Sequence, residues 1–168
     1  MSADLSKLRI LVIDDSAPMR TIIGTMLTAM GVGHVHFAAE GRRGLEVLSQ
    51  VPVDIVYVDL EMPVMNGLHF TAAVRALPAP LRFLPIIMVT GHSFGPSVFK
   101  ARDTGVTEFL TKPVTANLIV SRLEAVIFKP RPFVSAAGYF GPDRRRKVLP
   151  QYAGPLRRID DNLVALQI

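Results

Sequence analysis

The stretch Ile10-Leu11-Val12-Ile13-Asp14-Asp15-Ser16 decides the fold, because an apolar run typical of a buried strand ends abruptly in two adjacent carboxylates. Like charges placed side by side repel, and holding them at the mouth of a core costs stability unless a positive group lies there. We therefore expect Asp14 and Asp15 to hold a cation at the end of a strand.

Four further apolar runs follow along the chain at fairly even spacing. Most are rich in Val and Ile, and several lack the alternation of a half-exposed strand, which is typical of parallel strands covered on both faces. The five predicted strands span residues 8–13, 33–37, 54–58, 84–89 and 107–110.

Segments with a helical period separate these strands. In residues 21–30 the apolar side chains form one stripe, and Ser16 is expected to cap that helix with Pro18 in its first turn. The predicted helices span residues 21–30, 41–51, 66–77, 95–104 and 115–128. Five strands alternating with five helices predict a doubly wound α/β domain that ends near residue 128.

The functional site of such a sheet lies at the carboxyl ends of its strands. The first strand ends in the acidic pair, the third in Asp59, and the fourth in Thr90, while Lys112 follows the fifth. Each residue alone has an ordinary explanation as a helix cap, a turn residue or a solvated lysine. Their coincidence at four strand ends favours a single site.

The chemistry of these groups indicates an aspartyl-phosphate site. Three carboxylates require a cation, and hard oxygen ligands suit Mg²⁺. Asp59 stands alone at its strand end, so it is the candidate nucleophile toward a phosphoryl group. Lys112 and Thr90 can supply a point charge and a hydroxyl donor to the phosphoryl oxygens.

Four segments of the chain resemble the motifs of the receiver domain of bacterial two-component response regulators. They are LVIDDSAPMR at residues 11–20, VDLEMPVMNGL at 58–68, MVTG at 88–91 and EFLTKP at 108–113. They occur in the family's usual order and nearly at its usual separations, and the resemblance covers residues 7–128. It implies a flavodoxin-like (βα)5 fold with a central five-stranded parallel sheet.

The resemblance also implies a role for each acidic residue of the site. Asp59 matches the phosphoacceptor, and Asp14 and Asp15 match the pair that binds Mg²⁺. Glu61 matches the position whose backbone carbonyl completes the metal shell. The phosphodonor implied is a sensor histidine kinase, a phosphotransfer protein or a small phosphorylated molecule.

Three further positions match the machinery that responds to the phosphoryl group. Thr90 matches the hydroxyl that moves toward it, Lys112 matches the conserved ammonium followed by a cis Pro113, and Phe109 matches the switch aromatic. Phe109 is equally compatible with an ordinary core phenylalanine. The family output is a contact with a downstream protein through residues 95–128. Self-catalysed phosphoryl transfer and dephosphorylation are the only reactions implied, so the chain is not expected to be an enzyme.

The basic charge of the chain is confined to its C-terminal extension, residues 129–168. Residues 1–128 contain 11 Lys and Arg against 11 Asp and Glu, whereas the extension contains 8 against 3. The extension also holds 5 of the 13 prolines. It is too short for a helix-turn-helix domain, so DNA binding is disfavoured.

Three interpretations of the extension are open. The first is a flexible solvated segment, which its prolines favour. The second is a partner-docking segment in which residues 156–166 form a short helix. The third is an anion site. The anion site would use Arg144, Arg145 and Arg146. Some receiver-like proteins of motile bacteria bind cyclic di-GMP through an arginine-rich stretch that is similar in kind.

The remaining composition excludes several classes of protein. The chain has no cysteine, so disulfides, thiolate metal sites and cysteine nucleophiles are impossible. Its N-terminus lacks a signal peptide and no apolar run approaches the ~20 residues that span a bilayer. We expect a cytoplasmic single-domain response regulator, with a cyclic di-GMP effector as the alternative.

Overall fold

A computed structural model describes residues 4–91, 96–144 and 164–166 of the chain. Five parallel strands form one sheet in the order β2-β1-β3-β4-β5. The strands are β1 Arg9–Ile13, β2 His34–Ala38, β3 Ile55–Asp59, β4 Ile86–Thr90 and β5 Glu108–Thr111. The helices are α1 Ala17–Ala29, α2 Gly41–Gln50, α3 Gly67–Ala76, α4 Pro96–Thr104 and α5 Ala116–Phe128. This is the predicted doubly wound architecture, and the five strands and five helices predicted for residues 8–128 are all present.

Both faces of the sheet are covered, which explains why the strands lack a polar side. Side chains such as Leu11 and Val58 pack on one face against α2, α3 and α4. Their neighbours along the strands, such as Val12 and Tyr57, pack on the other face against α1 and α5. Every residue of β3 and β4 is buried, as expected for central strands of a parallel sheet.

Local capping positions the helices that follow the functional strands. The Ser16 hydroxyl accepts a hydrogen bond from the Met19 amide at 3.4 Å, and Pro18 lies in the first turn of α1, as the sequence predicts. Gly67 begins α3, and a Cβ atom there would lie 2.4 Å from the carbonyl oxygen of Asp59. Only glycine lets α3 start this close to the end of β3.

The C-terminal extension contains an antiparallel hairpin. It is formed by β6 Phe133–Ala136 and β7 Tyr139–Pro142. A third short strand, β8 Val164–Leu166, pairs with β6 on its other edge. A flexible, solvated segment is therefore the wrong description of residues 133–142.

The predicted helix over residues 156–166 is also wrong at its end. Residues 164–166 are extended because their backbone hydrogen-bonds to β6, a long-range pairing that helical periodicity does not reveal. The rest of that segment lies outside the described residues. Among the described residues, no helix is both long and apolar enough to cross a membrane.

Candidate functional site

Three carboxylates meet at the carboxyl edge of the sheet. Asp14, Asp15 and Asp59 each offer one oxygen, and these oxygens all lie within 4.8 Å of one another. Asp14 and Asp59 are buried, whereas Asp15 is exposed. The arrangement follows from the topology, because β1 and β3 are neighbours and Asp59 is the last residue of β3.

The loop that carries the acidic pair is held by hydrogen bonds from the Ser16 amide and the Arg20 guanidinium. The Ser16 amide donates to Asp14 Oδ1 at 2.8 Å, and Asp14 Oδ2 is buried without a hydrogen-bond partner. The Arg20 guanidinium donates to the carbonyl oxygens of Asp14, at 2.6 Å, and Asp15, at 3.3 Å. Sequence reasoning missed Arg20; its one signal was its place in the first turns of the helix that follows the pair.

Lys112 reaches the carboxylates from the end of β5. Its ammonium lies 2.8 Å from Asp59 Oδ1 and 4.0 Å from Asp14 Oδ2. Its backbone amide donates to the carbonyl of Thr90 at 2.8 Å, and the Lys112–Pro113 peptide bond is cis. Thr90 is itself buried and stands beside Thr111 in the sheet. The four predicted strand ends therefore meet at one edge.

The electrostatics of the site oppose further negative charge. Burial raises the pKa of Asp59, Lys112 lowers it, and the charges of Asp14 and Asp15 raise it further. Burial also raises the pKa of Asp14. Burial acts to lower the pKa of Lys112, but its hydrogen bond to Asp59 and the nearby acidic charges outweigh burial, so that pKa is raised. The cluster has more negative charge than one ammonium neutralises.

A hard divalent cation fits this donor set. The available donors are carboxylate oxygens, the kind that Mg²⁺ prefers, and Asp14 Oδ2 lacks a hydrogen-bond partner although it is buried. The residues that would hold Mg²⁺ are Asp14, Asp15 and Asp59. The side chain of Glu61 is exposed. The group that Glu61 is expected to offer to the metal is its backbone carbonyl.

The two remaining predicted groups lie away from the carboxylates. Phe109 is half-buried against the core beneath α2, α3 and α4, and its carbonyl accepts a hydrogen bond from Arg122. Arg144 belongs to the extension and lies beside the C-terminal end of α4, where its guanidinium pairs with Asp103 at 2.5 Å. Arg145 and Arg146 lie outside the described residues.

Comparison with known proteins places the chain in a family. The family model of the response regulator receiver domain matches residues 10–124 of the sequence. The chain therefore belongs to the response regulator receiver family, the class of two-component signalling proteins to which its sheet and acidic edge correspond.

Individual relatives are chemotaxis proteins. The chain is 31% identical to the chemotaxis protein CheY-3 of Vibrio cholerae over 127 residues, covering 75% of this chain and 97% of that one. It is 36% identical to a CheY homolog of Campylobacter jejuni over 121 residues, covering 71% of this chain and 92% of that one.

Solved structures give the same assignment. The structure of CheY4 of Vibrio cholerae matches with a TM-score of 0.67 and 30% identity, covering 71% of this chain and 98% of that chain. The receiver domain of the sensor histidine kinase PA1611 of Pseudomonas aeruginosa matches with a TM-score of 0.64 and 25% identity, covering 70% and 94%. In that receiver a magnesium ion is coordinated in the active-site cleft. The predicted family and fold are confirmed, whereas the role of each residue stays a prediction.

Proposed function

We propose that this chain is a single-domain response regulator that accepts a phosphoryl group on Asp59 in a Mg²⁺-dependent reaction. The observation that carries the proposal is the position of Asp59. Its carboxylate ends β3 inside a cluster of three acids and lies 2.8 Å from the Lys112 ammonium. A buried carboxylate that neighbours both a cation and further metal-ligating oxygens is equipped to attack phosphorus.

In the proposed reaction an Asp59 oxygen forms a bond to phosphorus, and the bond from phosphorus to the donor's histidine nitrogen breaks. The electron pair of the broken bond stays on the imidazole. Lys112 offsets the charge on the phosphoryl oxygens, and the Thr90 hydroxyl donates to one of them. Mg²⁺, when held by Asp14, Asp15 and Asp59, supplies the positive charge that lets a phosphoryl dianion approach three acids.

Ionisation of Asp59 is the condition for this attack. Burial raises the pKa of Asp59, and Lys112 opposes the rise by stabilising the carboxylate. Lys112 therefore acts before transfer by keeping the nucleophile charged and during transfer by meeting the incoming oxygens. Hydrolysis of the acyl phosphate by water then restores the carboxylate.

The output of the proposed regulator is contact with another protein. The phosphodonor would be a sensor histidine kinase or a phosphotransfer protein in the cytoplasm. The downstream target would bind the face of α4, β5 and α5, where Phe109 is half-buried and can change its packing. In this proposal the chain is a phosphoacceptor, and self-catalysed phosphoryl transfer and dephosphorylation are its only reactions.

Of the three arginines predicted for the anion site, Arg144 is the one within the described residues, and its guanidinium is already engaged. The Arg144 guanidinium pairs with Asp103 and lies 4.1 Å from the centre of the Tyr139 ring. These contacts favour docking of the extension on the receiver. They do not favour the cyclic di-GMP alternative, which would need this guanidinium for its ligand.

Labelling by a small phosphodonor tests the proposal. Wild-type protein, Asp59→Asn and the matched surface variant Asp4→Asn are incubated with acetyl phosphate and Mg²⁺, and intact mass is recorded. We expect a phosphoryl adduct on the wild type and on Asp4→Asn, and none on Asp59→Asn, whose circular dichroism should be unchanged. Persistent labelling of Asp59→Asn would refute the assignment.

A further inference from the structure

The hairpin of the extension packs on the receiver at a defined place. We call β6, β7 and the flanking Arg131 and Arg144 the clasp. We propose that the clasp is a built-in regulator that stabilises the arrangement of α4 and β5 found with a free Asp59 carboxylate, so that release of the clasp and phosphorylation favour each other. This inference rests on the proposed function of Asp59.

An aromatic cluster forms the centre of the clasp contact. Phe83, in the turn between α3 and β4, lies edge-on to Phe133 and Phe140, with ring centroids 5.3 and 5.4 Å away. Phe133 is buried, and the Arg82 guanidinium lies 3.7 Å from the centre of the Phe140 ring. Edge-to-face ring contacts and a cation over an aromatic face stabilise docking beyond the area that they bury.

A buried arginine fastens the receiver surface beneath the cluster. Arg75, at the end of α3, donates two hydrogen bonds to the Gly105 carbonyl at 2.8 and 3.0 Å, and two more to the carbonyls of Arg82 and Leu84. Phe133 covers its guanidinium at 5.0 Å, and burial lowers the pKa of Arg75 to about 10. The clasp therefore covers the point where α3, the turn before β4 and the α4–β5 turn are joined.

The backbone of β7 meets the α4–β5 turn directly. A Cβ atom at Gly141 would lie 2.8 Å from the Cα of Gly105, and one at Gly105 would lie 2.9 Å from the Phe140 carbonyl oxygen. Backbone atoms this close together leave no room for a side chain at either Gly141 or Gly105. A displacement of the α4–β5 turn must consequently displace β7.

Two ion pairs connect the ends of the clasp to α4 and β5. Arg144 pairs with Asp103 in the last turn of α4, and Arg131 lies 3.8 Å from Glu108, the first residue of β5. The side chains of Arg144 and Arg131 are only 23% and 17% exposed. Glu108 is only 10% exposed, so the Arg131–Glu108 pair is shielded from water, whereas Asp103 is 50% exposed and its pair with Arg144 contributes less.

The same short strand serves the clasp and the phosphoacceptor. β5 begins at Glu108, passes through Phe109 and ends one residue before Lys112. Lys112 contacts the free Asp59 carboxylate at 2.8 Å while the clasp holds Glu108 and the end of α4. A phosphoryl group on Asp59 would make Lys112 contact a different oxygen, and any resulting shift of β5 acts on the clasp.

Thermodynamic linkage fixes the sign of the effect. A contact that stabilises one of two states weakens binding of any group that prefers the other state, and the coupling is reciprocal. Clasp contacts occur together with the Asp59–Lys112 contact, so loosening the clasp should favour the phosphoryl-bearing state.

The test uses beryllofluoride with Mg²⁺, a mimic of the phosphoryl group on a carboxylate. Full-length proteins are titrated while NMR follows the backbone amide of Thr90. In Gly141→Ala the new methyl group pushes β7 away from the α4–β5 turn. In Arg144→Ala the ion pair with Asp103 is lost. We expect the half-saturating concentration to fall at least about fivefold in Gly141→Ala and about threefold in Arg144→Ala.

Matched controls and a reciprocal measurement complete the test. Ser135→Ala, exposed on β6, and Arg43→Ala, which removes a surface ion pair on α2, should stay within twofold of the wild type. In the wild type, saturating beryllofluoride should speed hydrogen exchange of the β6 and β7 amides at least about fivefold.

The outcomes separate the two proposals. A wild-type protein whose Thr90 amide does not respond would overturn the proposed function and the clasp proposal with it. A clear Thr90 response, together with unchanged titrations in both variants or unchanged hairpin exchange in the wild type, would overturn the clasp proposal alone.

Discussion

The Lys112 ammonium is shared by two buried carboxylates, 2.8 Å from Asp59 Oδ1 and 4.0 Å from Asp14 Oδ2. The lysine thus occupies the acidic cluster as a resident cation. Since Mg²⁺ would enter the same cluster, the two cations would repel each other at short range. This competition predicts that Lys112 affects Mg²⁺ binding and the proposed phosphoryl transfer in different ways.

Replacing Lys112 with alanine should change the two properties in opposite directions. We expect Mg²⁺ to bind Lys112→Ala severalfold more tightly, because a repelling charge is gone. Labelling by acetyl phosphate should fall at least about tenfold, because no ammonium meets the phosphoryl oxygens. Calorimetric titration of Mg²⁺ and intact mass measure the two effects, with the exposed Lys7→Ala as the control. Weaker Mg²⁺ binding in Lys112→Ala would show that the lysine supports the metal.

The acidic pair and Glu61 should differ in their effect on Mg²⁺. Asp15 offers an exposed carboxylate oxygen within the cluster, whereas Glu61 is expected to contribute its backbone carbonyl, which survives truncation of the side chain. Asp15→Ala should weaken Mg²⁺ binding at least about tenfold, and Glu61→Ala less than about threefold. Calorimetric titration compares them. Equal losses would mean that the metal lies elsewhere.

The pKa values of the buried acids predict an unusual pH dependence. Burial raises the pKa of both Asp14 and Asp59, so these two carboxyls bind more protons in the native state than in the unfolded chain above about pH 3.9. Without Mg²⁺ the free energy of unfolding should therefore fall as the pH rises from about 4 through these raised pKa values. Asp14→Asn should flatten that fall in urea denaturation curves.

A control with the opposite shift checks the assignment. The hydrogen bond from Arg9 lowers the pKa of Asp54, so its contribution is present above the unfolded pKa and lost as the pH falls through the native one. Asp54→Asn should leave the fall above pH 4 in place. An identical slope in Asp14→Asn and the wild type would contradict a role for the buried pair.

The sheet and the acidic edge could be predicted because they depend on local patterns. Uninterrupted apolar runs identify buried parallel strands, and the topology then brings the residues after them to one edge. The cap at Ser16 also follows from residue type, and its hydroxyl accepts a hydrogen bond from the first turn of α1. Such features need no knowledge of distant contacts.

The clasp could not be predicted in the same way. Its two strands have four residues each and are joined by Ala137-Gly138, a weaker hairpin signal than Asn-Gly. Arg75 also escapes prediction, since a buried arginine is stable only where carbonyls from remote segments converge, as those of Gly105 and Leu84 do. Both features depend on contacts between distant segments of the chain.

The loop after β3 contains a strained residue that offers a last prediction. Val64 has a φ of +64° and is 83% exposed. The Met65 amide donates to the Pro63 carbonyl at 2.7 Å, which closes a three-residue turn around it. A β-branched side chain is disfavoured in this left-handed region, at a cost of roughly 1–2 kcal/mol.

Replacing Val64 with asparagine should stabilise the protein by about 1 kcal/mol, because asparagine tolerates the left-handed region and little buried contact is lost. Glycine should give a smaller gain, since it also increases the entropy of the unfolded chain. Urea denaturation measures both, and the Tm should rise by roughly 2–4 °C for asparagine. Val64→Ile, which keeps the branched Cβ, is the control and should gain nothing. If Val64→Ile stabilised the protein as much as Val64→Asn, backbone strain would not be the cause.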